Sequence, residues 1–174
     1  MHMKLLSGVV AAVLFSIVIL SAQSPNIQFE EYSLENGLHV ILHQDNATPI
    51  VAVNILYHVG SKNEDPERTG FAHFFEHLLF EGSENIGRGE FMDLVNSAGG
   101  TLNAYTTSDK TNYYQILPSN QLELGLYLES ERLLHAKIDS VGIETQREGV
   151  KEERRTRYDN QPYGTFWEEV FKRS

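Results

Sequence analysis

The sequence predicts an α+β fold: a mainly antiparallel sheet with helices packed on one face. Three observations lead there. The strand-like runs come as hairpins or meanders and not in regular βαβ alternation. An Asn36-Gly37 pair separates two short β-prone runs, the strongest local signal for a hairpin. The helical runs carry apolar residues at helical spacing and are punctuated by glycines at Gly70, Gly82 and Gly99-Gly100.

The first element is a targeting segment, residues 1–22. Lys4 precedes a run from Leu5 to Leu20 that is apolar apart from Ser7, Gly8 and Ser16, and small residues follow at Ser21-Ala22. Cleavage after Ala22 would leave Leu20 at the −3 position, where a small residue is preferred. An uncleaved anchor formed by residues 5–20 therefore stands beside a signal peptide, although the run is short for a full membrane span. Both readings export residues 23–174 to a periplasmic or secreted location, the second with a membrane anchor.

Residues Glu31 to Leu42 read as two strands about the Asn-Gly turn, and Ile50 to Val59 as a third β-rich run after Pro49. A polar loop from Gly60 to Gly70 leads into Phe71–Phe80, which lacks Pro and Gly and places Phe71, Phe74, Phe75, Leu78 and Leu79 on an apolar stripe. Glu90 to Ala98 is a short helix stopped by Gly99-Gly100. Thr101 to Leu117 reads mostly as strand. A helix begins at Pro118-Ser119-Asn120, with Leu122, Leu124, Leu126, Leu128, Leu133 and Leu134 expected largely buried. Ser140 to Tyr158 is a charged helix with possible pairs Glu148–Lys151, Glu152–Arg155 and Glu153–Arg157. Gly149 within it costs roughly 1 kcal/mol relative to Ala, which a close packing contact over the neighbouring helix would explain. The run Phe166–Ser174 ends amid an amphipathic aromatic stretch with no stop signal, as expected of a domain that continues further.

Composition narrows the chemistry. With 24 acidic and 14 basic residues in 174, a net charge of −10, the chain lacks the basic surface that nucleic acid requires. It has no cysteine, so disulfides and thiolate metal sites are excluded. A metal centre must then be built from His and carboxylate, the style of a catalytic zinc site with three protein ligands and an open position.

His73-Phe74-Phe75-Glu76-His77 supplies such groups. Positions i, i+3 and i+4 of a helix share a face, so His73 and His77 can offer two imidazole nitrogens to one ion with Glu76 beside them. H-x-x-E-H is the inverted order of the usual zinc-peptidase motif. A third ligand must come from elsewhere, and the strongest source is the charged helix around Gln146–Arg155. His39, His43, His58 and His135 are expected to be surface or strand residues.

Here the sequence resembles the M16 metallopeptidases, the family of pitrilysin, insulin-degrading enzyme and the mitochondrial processing peptidase. The resemblance runs from about Phe29 to the end and covers His73, Glu76 and His77, the segment Asn103-Ala104-Tyr105-Thr106, and Tyr158-Asp159-Asn160-Gln161-Pro162-Tyr163-Gly164. The last is most like the family's bacterial exported members. The resemblance implies an M16 metallopeptidase-like domain over residues 23–174, C-terminally incomplete. The family's zinc-binding glutamate lies about 80 residues beyond the first histidine, which assigns the role to Glu153, with Glu152 the weaker candidate. In many members the position of Gln146, two helical turns before Glu153, is a glutamate that supports the site. The amide here is a departure that adds no negative charge.

What the resemblance implies is a zinc-dependent endopeptidase with one Zn2+ per site, in which Glu76 acts as general base. The substrate, a peptide or unfolded polypeptide, would add as a strand along Asn103, Ala104, Tyr105 and Thr106. A second M16-like half, in cis or in trans, would complete the chamber, and the polypeptide alone would bind zinc weakly or be inactive. The alternative is a non-catalytic M16-like subunit or partner protein that helps to form such a chamber. A membrane-anchored binding module unrelated to proteolysis is a more distant third reading.

Overall fold

Asn36-Gly37 closes a hairpin, but with a longer loop than a two-residue turn. Strands β1 (Glu30–Ser33) and β2 (His39–Leu42) pair antiparallel, Glu30 opposite Leu42 and Ser33 opposite His39. Leu34 N donates to Leu38 O and Gly37 N to Leu34 O, each at 2.9 Å, and Gly37 sits at φ +88°. This is a turn through Glu35-Asn36 followed by a left-handed residue, the three-residue loop in which glycine avoids the Cβ penalty. The structure, a computed structural model, describes residues 27–171, so the targeting segment expected over residues 1–22 lies outside the described residues. The chain divides into two compact units after Thr48, and the hairpin belongs to the first.

The second unit, from Pro49 onward, is built on a three-stranded antiparallel sheet in the order β3-β5-β4. Its strands are β3 (Ile50–Tyr57), β4 (Thr101–Thr106) and β5 (Thr111–Pro118). Gln115 in the central strand lies opposite both Val53 and Leu102. Side chains alternate across a strand, so Val51, Val53, Leu102, Tyr113, Gln115 and Leu117 share one face. Three helices contact the strands: α1 (Phe71–Leu78), α2 (Glu90–Ser97) and α3 (Leu122–Leu134). They cover that face, while Ile50, Leu56 and Ile116 on the other stay exposed. Ile86, Phe91, Val95, Leu117 and Leu128 form the core between the layers. This is the α+β arrangement expected.

Helix α3 departs from expectation in what it buries. Leu122, Leu126, Leu133 and Leu134 are exposed, and Leu128 is fully buried. The leucines at 122, 124, 126 and 128 alternate with period two, which a helix spreads around its circumference; only residues three or four apart share a face. The buried face carries Gly125, Leu128, Glu129 and Arg132. A Cβ at Gly125 would come within 3.0 Å of Leu117 and Val53 side-chain carbons, so glycine lets α3 close on the sheet. The buried charges are compensated, as they must be. Arg132 Nε pairs with Glu129 at 3.1 Å, Gln115 Nε2 donates to Glu129 at 2.6 Å, and Arg132 Nη1 donates to Leu79 O at 2.7 Å. The Arg132 guanidinium also lies 4.4 to 4.8 Å from the ring centres of Tyr113, Phe80 and Phe91, within cation–π range. This network ties α3 to the end of α1.

Helix α4 (Ser140–Arg154) starts at Asp139, whose Oδ1 accepts from Gly142 N at 2.8 Å, a conventional N-cap. It runs on into a π-helical turn over Arg155–Asp159, and α5 (Phe166–Phe171) follows. All three expected charge pairs form along it: Glu148–Lys151, Glu152–Arg155 and Glu153–Arg157. Gly149 has no steric cause. It is exposed, and an added Cβ would meet only Gln146 Oε1 at an ordinary 3.5 Å. Among the described residues no helix is long and apolar enough to cross a membrane.

Candidate metal centre

Helix α1 begins after Gly70, held at φ +93°. The Glu64 carboxylate accepts from Gly70 N and Ala72 N, both at 2.7 Å, satisfying donors that a helix start leaves unpaired. His73 and His77 stand one turn apart, rings perpendicular, with Nε2 atoms 3.2 Å apart. Helix α4 packs against α1 and brings Glu153 over them, its Oε2 3.2 Å from His77 Nε2 and 3.5 Å from His73 Nε2.

These three edges match one face of a tetrahedron around zinc. Bonds of about 2.0–2.1 Å at tetrahedral angles put neighbouring ligand atoms about 3.3–3.4 Å apart. Glu153 Oε2 is buried and makes no aligned hydrogen bond, an oxygen that a cation would satisfy. Among the described residues, His73, His77 and Glu153 are the group of His, Asp or Glu side chains able to hold an ion together. The donor set fits zinc.

Supporting contacts aim two of these three side chains, Glu153 and His77. Arg157 Nη1 holds the other Glu153 oxygen, Oε1, at 2.6 Å, which turns Oε2 toward the imidazoles. The Gln146 Oε1 atom lies 3.2 Å from His77 Nδ1, and Gln146 Nε2 donates to Glu81 Oε1. Glu152 faces solvent beside Arg155 and takes no part. His39, His58 and His135 instead pair with Glu31, Asp109 and Glu84, and His43 Nδ1 contacts Gln28 O at 2.6 Å.

Glu76 is buried on the same helix, and its Oε2 accepts a 2.5 Å hydrogen bond from Thr106 Oγ1. Thr106 Oγ1 also lies 3.2 Å from Thr111 Oγ1, which donates to Val59 O at 3.0 Å. Below, the Tyr113 hydroxyl donates to Glu76 O at 3.3 Å, and burial pushes that phenol well above its ordinary pKa, so it remains a donor.

Strand β4 is at the sheet edge: it pairs with β5 on one side only. Register puts Ala104 and Thr106 on the α1 side, whereas Asn103 and Tyr105 alternate to the other. Asn103 Oδ1 accepts from Ala104 N at 2.8 Å. All four residues line one cleft with His73, Glu76, His77 and Glu153. Phe80, Met92 and Arg157 complete its wall. Sequence reasoning missed Glu81, Thr111, Met92 and the contact of Thr106 with Glu76, all of which depend on packing between separate elements. Arg157 had a signal, its i+4 spacing from Glu153, but read as an ordinary surface pair.

The sequence model of the insulinase family (peptidase family M16) matches residues 39–170. The chain is 36% identical over 151 residues to the zinc protease PqqE of Helicobacter pylori, covering 86% of this chain and 34% of that protein. It is 27% identical over 124 residues to the uncharacterized zinc protease YmxG of Bacillus subtilis, covering 71% of this chain and 30% of that protein. A solved protease from Helicobacter pylori superimposes with a TM-score of 0.76 at 36% identity, over 80% of this chain and 33% of that one. Pitrilysin superimposes with a TM-score of 0.69 at 23% identity, over 75% of this chain and 14% of that one, a likeness of fold. The chain spans about a third of the length of these two curated relatives.

Proposed function

The chain belongs to the insulinase family, peptidase family M16, and on that premise we propose that it carries the metal-holding part of a zinc-dependent endopeptidase site. The observation that carries this reading is the triangle of His73 Nε2, His77 Nε2 and Glu153 Oε2, with edges of 3.2, 3.2 and 3.5 Å. A zinc ion, when bound there, supplies Lewis acidity that polarises a scissile carbonyl and acidifies water.

The remaining steps belong to the chain's own groups. Glu76 is the general base, one helical turn from His73 and next to His77. Thr106 Oγ1 engages Glu76 Oε2, which leaves Oε1 to take a proton from water. As the water oxygen bonds to the carbonyl carbon and the C–N bond breaks, Glu76 returns that proton to the departing amine. The free edge of β4 at Asn103–Thr106 offers unpaired backbone groups to an extended peptide, so main-chain pairing holds the substrate with little demand on its side chains.

In this reading residues 1–22 form a signal peptide or anchor that exports the peptidase domain, residues 23–174, to the periplasm or beyond. A second M16-like half, in cis or in trans, closes the chamber over the cleft and completes the site for cleavage. A non-catalytic subunit that only helps to form a chamber is the competing reading. The complete set of His73, Glu76, His77 and Glu153 around one cleft counts against it. The test compares zinc content and peptide cleavage of the full-length protein with those of His73→Ala. Loss of both is expected, and undiminished cleavage by the variant would sink the assignment.

A further inference from the structure

Gln146 Oε1 lies 3.2 Å from His77 Nδ1, and the other side of the same amide is in direct contact with a carboxylate, that of Glu81. We propose that Glu81 is a positioning residue for the metal centre: it fixes the Gln146 amide and, through that amide, which nitrogen of His77 carries the proton. The inference rests on the metallopeptidase reading above.

Glu81 lies just beyond α1, its backbone N bonded to Leu78 O, and its side chain is buried. Its Oε2 sits 2.8 Å from Arg88 Nε, a charge contact without an aligned hydrogen bond, and Arg88 Nη2 also reaches Asp139 Oδ1 at 2.9 Å. Helix α4 approaches closely at Gly142, where a Cβ would lie 3.3 Å from Glu81 Oε2. A carboxylate beside a guanidinium can only accept hydrogen bonds, so the Gln146 nitrogen must face Glu81 and its oxygen must face His77. That oxygen, 3.2 Å from His77 Nδ1, also only accepts. The His77 proton is therefore held on Nδ1, and the Nε2 lone pair is left toward His73 and Glu153.

Two consequences follow from the geometry. Without the Glu81 charge the amide is free to rotate by half a turn and present its NH2 to His77 Nδ1, which favours the tautomer with Nε2 protonated. A glutamate at 146 with Glu81 retained would press two carboxylates together in a part-buried place. Exchanging the two restores the pattern: a carboxylate at 146 accepts from His77 Nδ1 and from an amide at 81. The supporting charge thus stands one residue further from His77 than a carboxylate at 146 would put it.

The experiment uses the full-length protein with Glu81→Gln, Gln146→Glu and the Glu81→Gln/Gln146→Glu double variant. The His77 tautomer is read by long-range 1H–15N NMR on metal-free, histidine-labelled protein, and zinc affinity by competition with a chromophoric chelator. Each single variant should lose about 10–100-fold in zinc affinity, the usual cost of an outer-shell partner, and Glu81→Gln should also lose the Nδ1-protonated signature. The double variant should recover both. A Glu81→Gln protein with native tautomer and native zinc affinity overturns the proposal. If Glu81→Gln does not fold, the double variant decides: native tautomer and affinity support the proposal, and a defect as large as that of Gln146→Glu overturns it. Failure of the unmodified protein to take up zinc counts against the metallopeptidase reading alone, because the metal-free tautomer spectra still decide the role of Glu81.

Discussion

The side chains of the cleft divide by the atom each one commits. His73 and His77 turn Nε2 inward, Glu153 gives one oxygen to Arg157 and the other to the imidazoles, and Glu76 gives one oxygen to Thr106. Glu76→Gln keeps the shape and the bond from Thr106 but removes the proposed proton acceptor. It should cut kcat by about 10²–10⁴-fold with zinc content unchanged; a variant of ordinary kcat would exclude Glu76 as the base. Among these residues His73, Glu76 and His77 were legible in sequence because one helical turn makes them neighbours whatever the rest of the chain does. Thr106 was legible only as part of a strand. Its hydroxyl meets Glu76 across 30 residues of sequence, a contact set by how β4 lies against α1.

At the scale of elements, burial decides which side chains matter. Leu128 is fully enclosed between α3 and the sheet, whereas Leu126 two residues earlier is exposed. Leu128→Ala should cost about 2–5 kcal/mol, and Leu126→Ala should stay within about 0.5 kcal/mol, both read from denaturant unfolding. Equal costs would mean that α3 is rotated from the orientation described. Gly149→Ala, in open space on α4, should stabilise by about 1 kcal/mol, since no close contact requires the glycine. The α4 cap also has a pH signature. The Gly142 N–H, and after it Arg88, hold the Asp139 carboxyl below its ordinary 3.8. A depressed carboxyl pKa adds stability that is complete above the ordinary value and is lost as pH falls through the lower, folded-state value. Asp139→Asn should therefore flatten the fall in stability below about pH 4; an unaltered acid limb would remove Asp139 from its cause.

For the molecule as a whole, a metal held as proposed would clamp α1 to α4, because two of the three candidate ligands come from one and the third from the other. Zinc at a hundred times its Kd should stabilise the full-length protein by about 2.7 kcal/mol over the chelated form. His73→Ala should show no such gain in thermal unfolding, and an equal gain there would place the ion elsewhere. The sequence by itself determined the α+β class, the hairpin at Asn36-Gly37, the His73/Glu76/His77 face and the charge pairs along α4. All of these are governed by local periodicity, turn chemistry or helical spacing. The family resemblance pointed to Glu153 ahead of Glu152 and to a substrate strand at Asn103–Thr106, and the structure turns Glu153 inward and leaves β4 at the sheet edge. Only the tertiary structure decided that α3 buries Gly125 and Arg132 in place of most of its leucines, and that Glu81 stands against Gln146. Those outcomes depend on which faces meet once helices and sheet pack. Contacts between elements tens of residues apart leave no periodic trace in the chain.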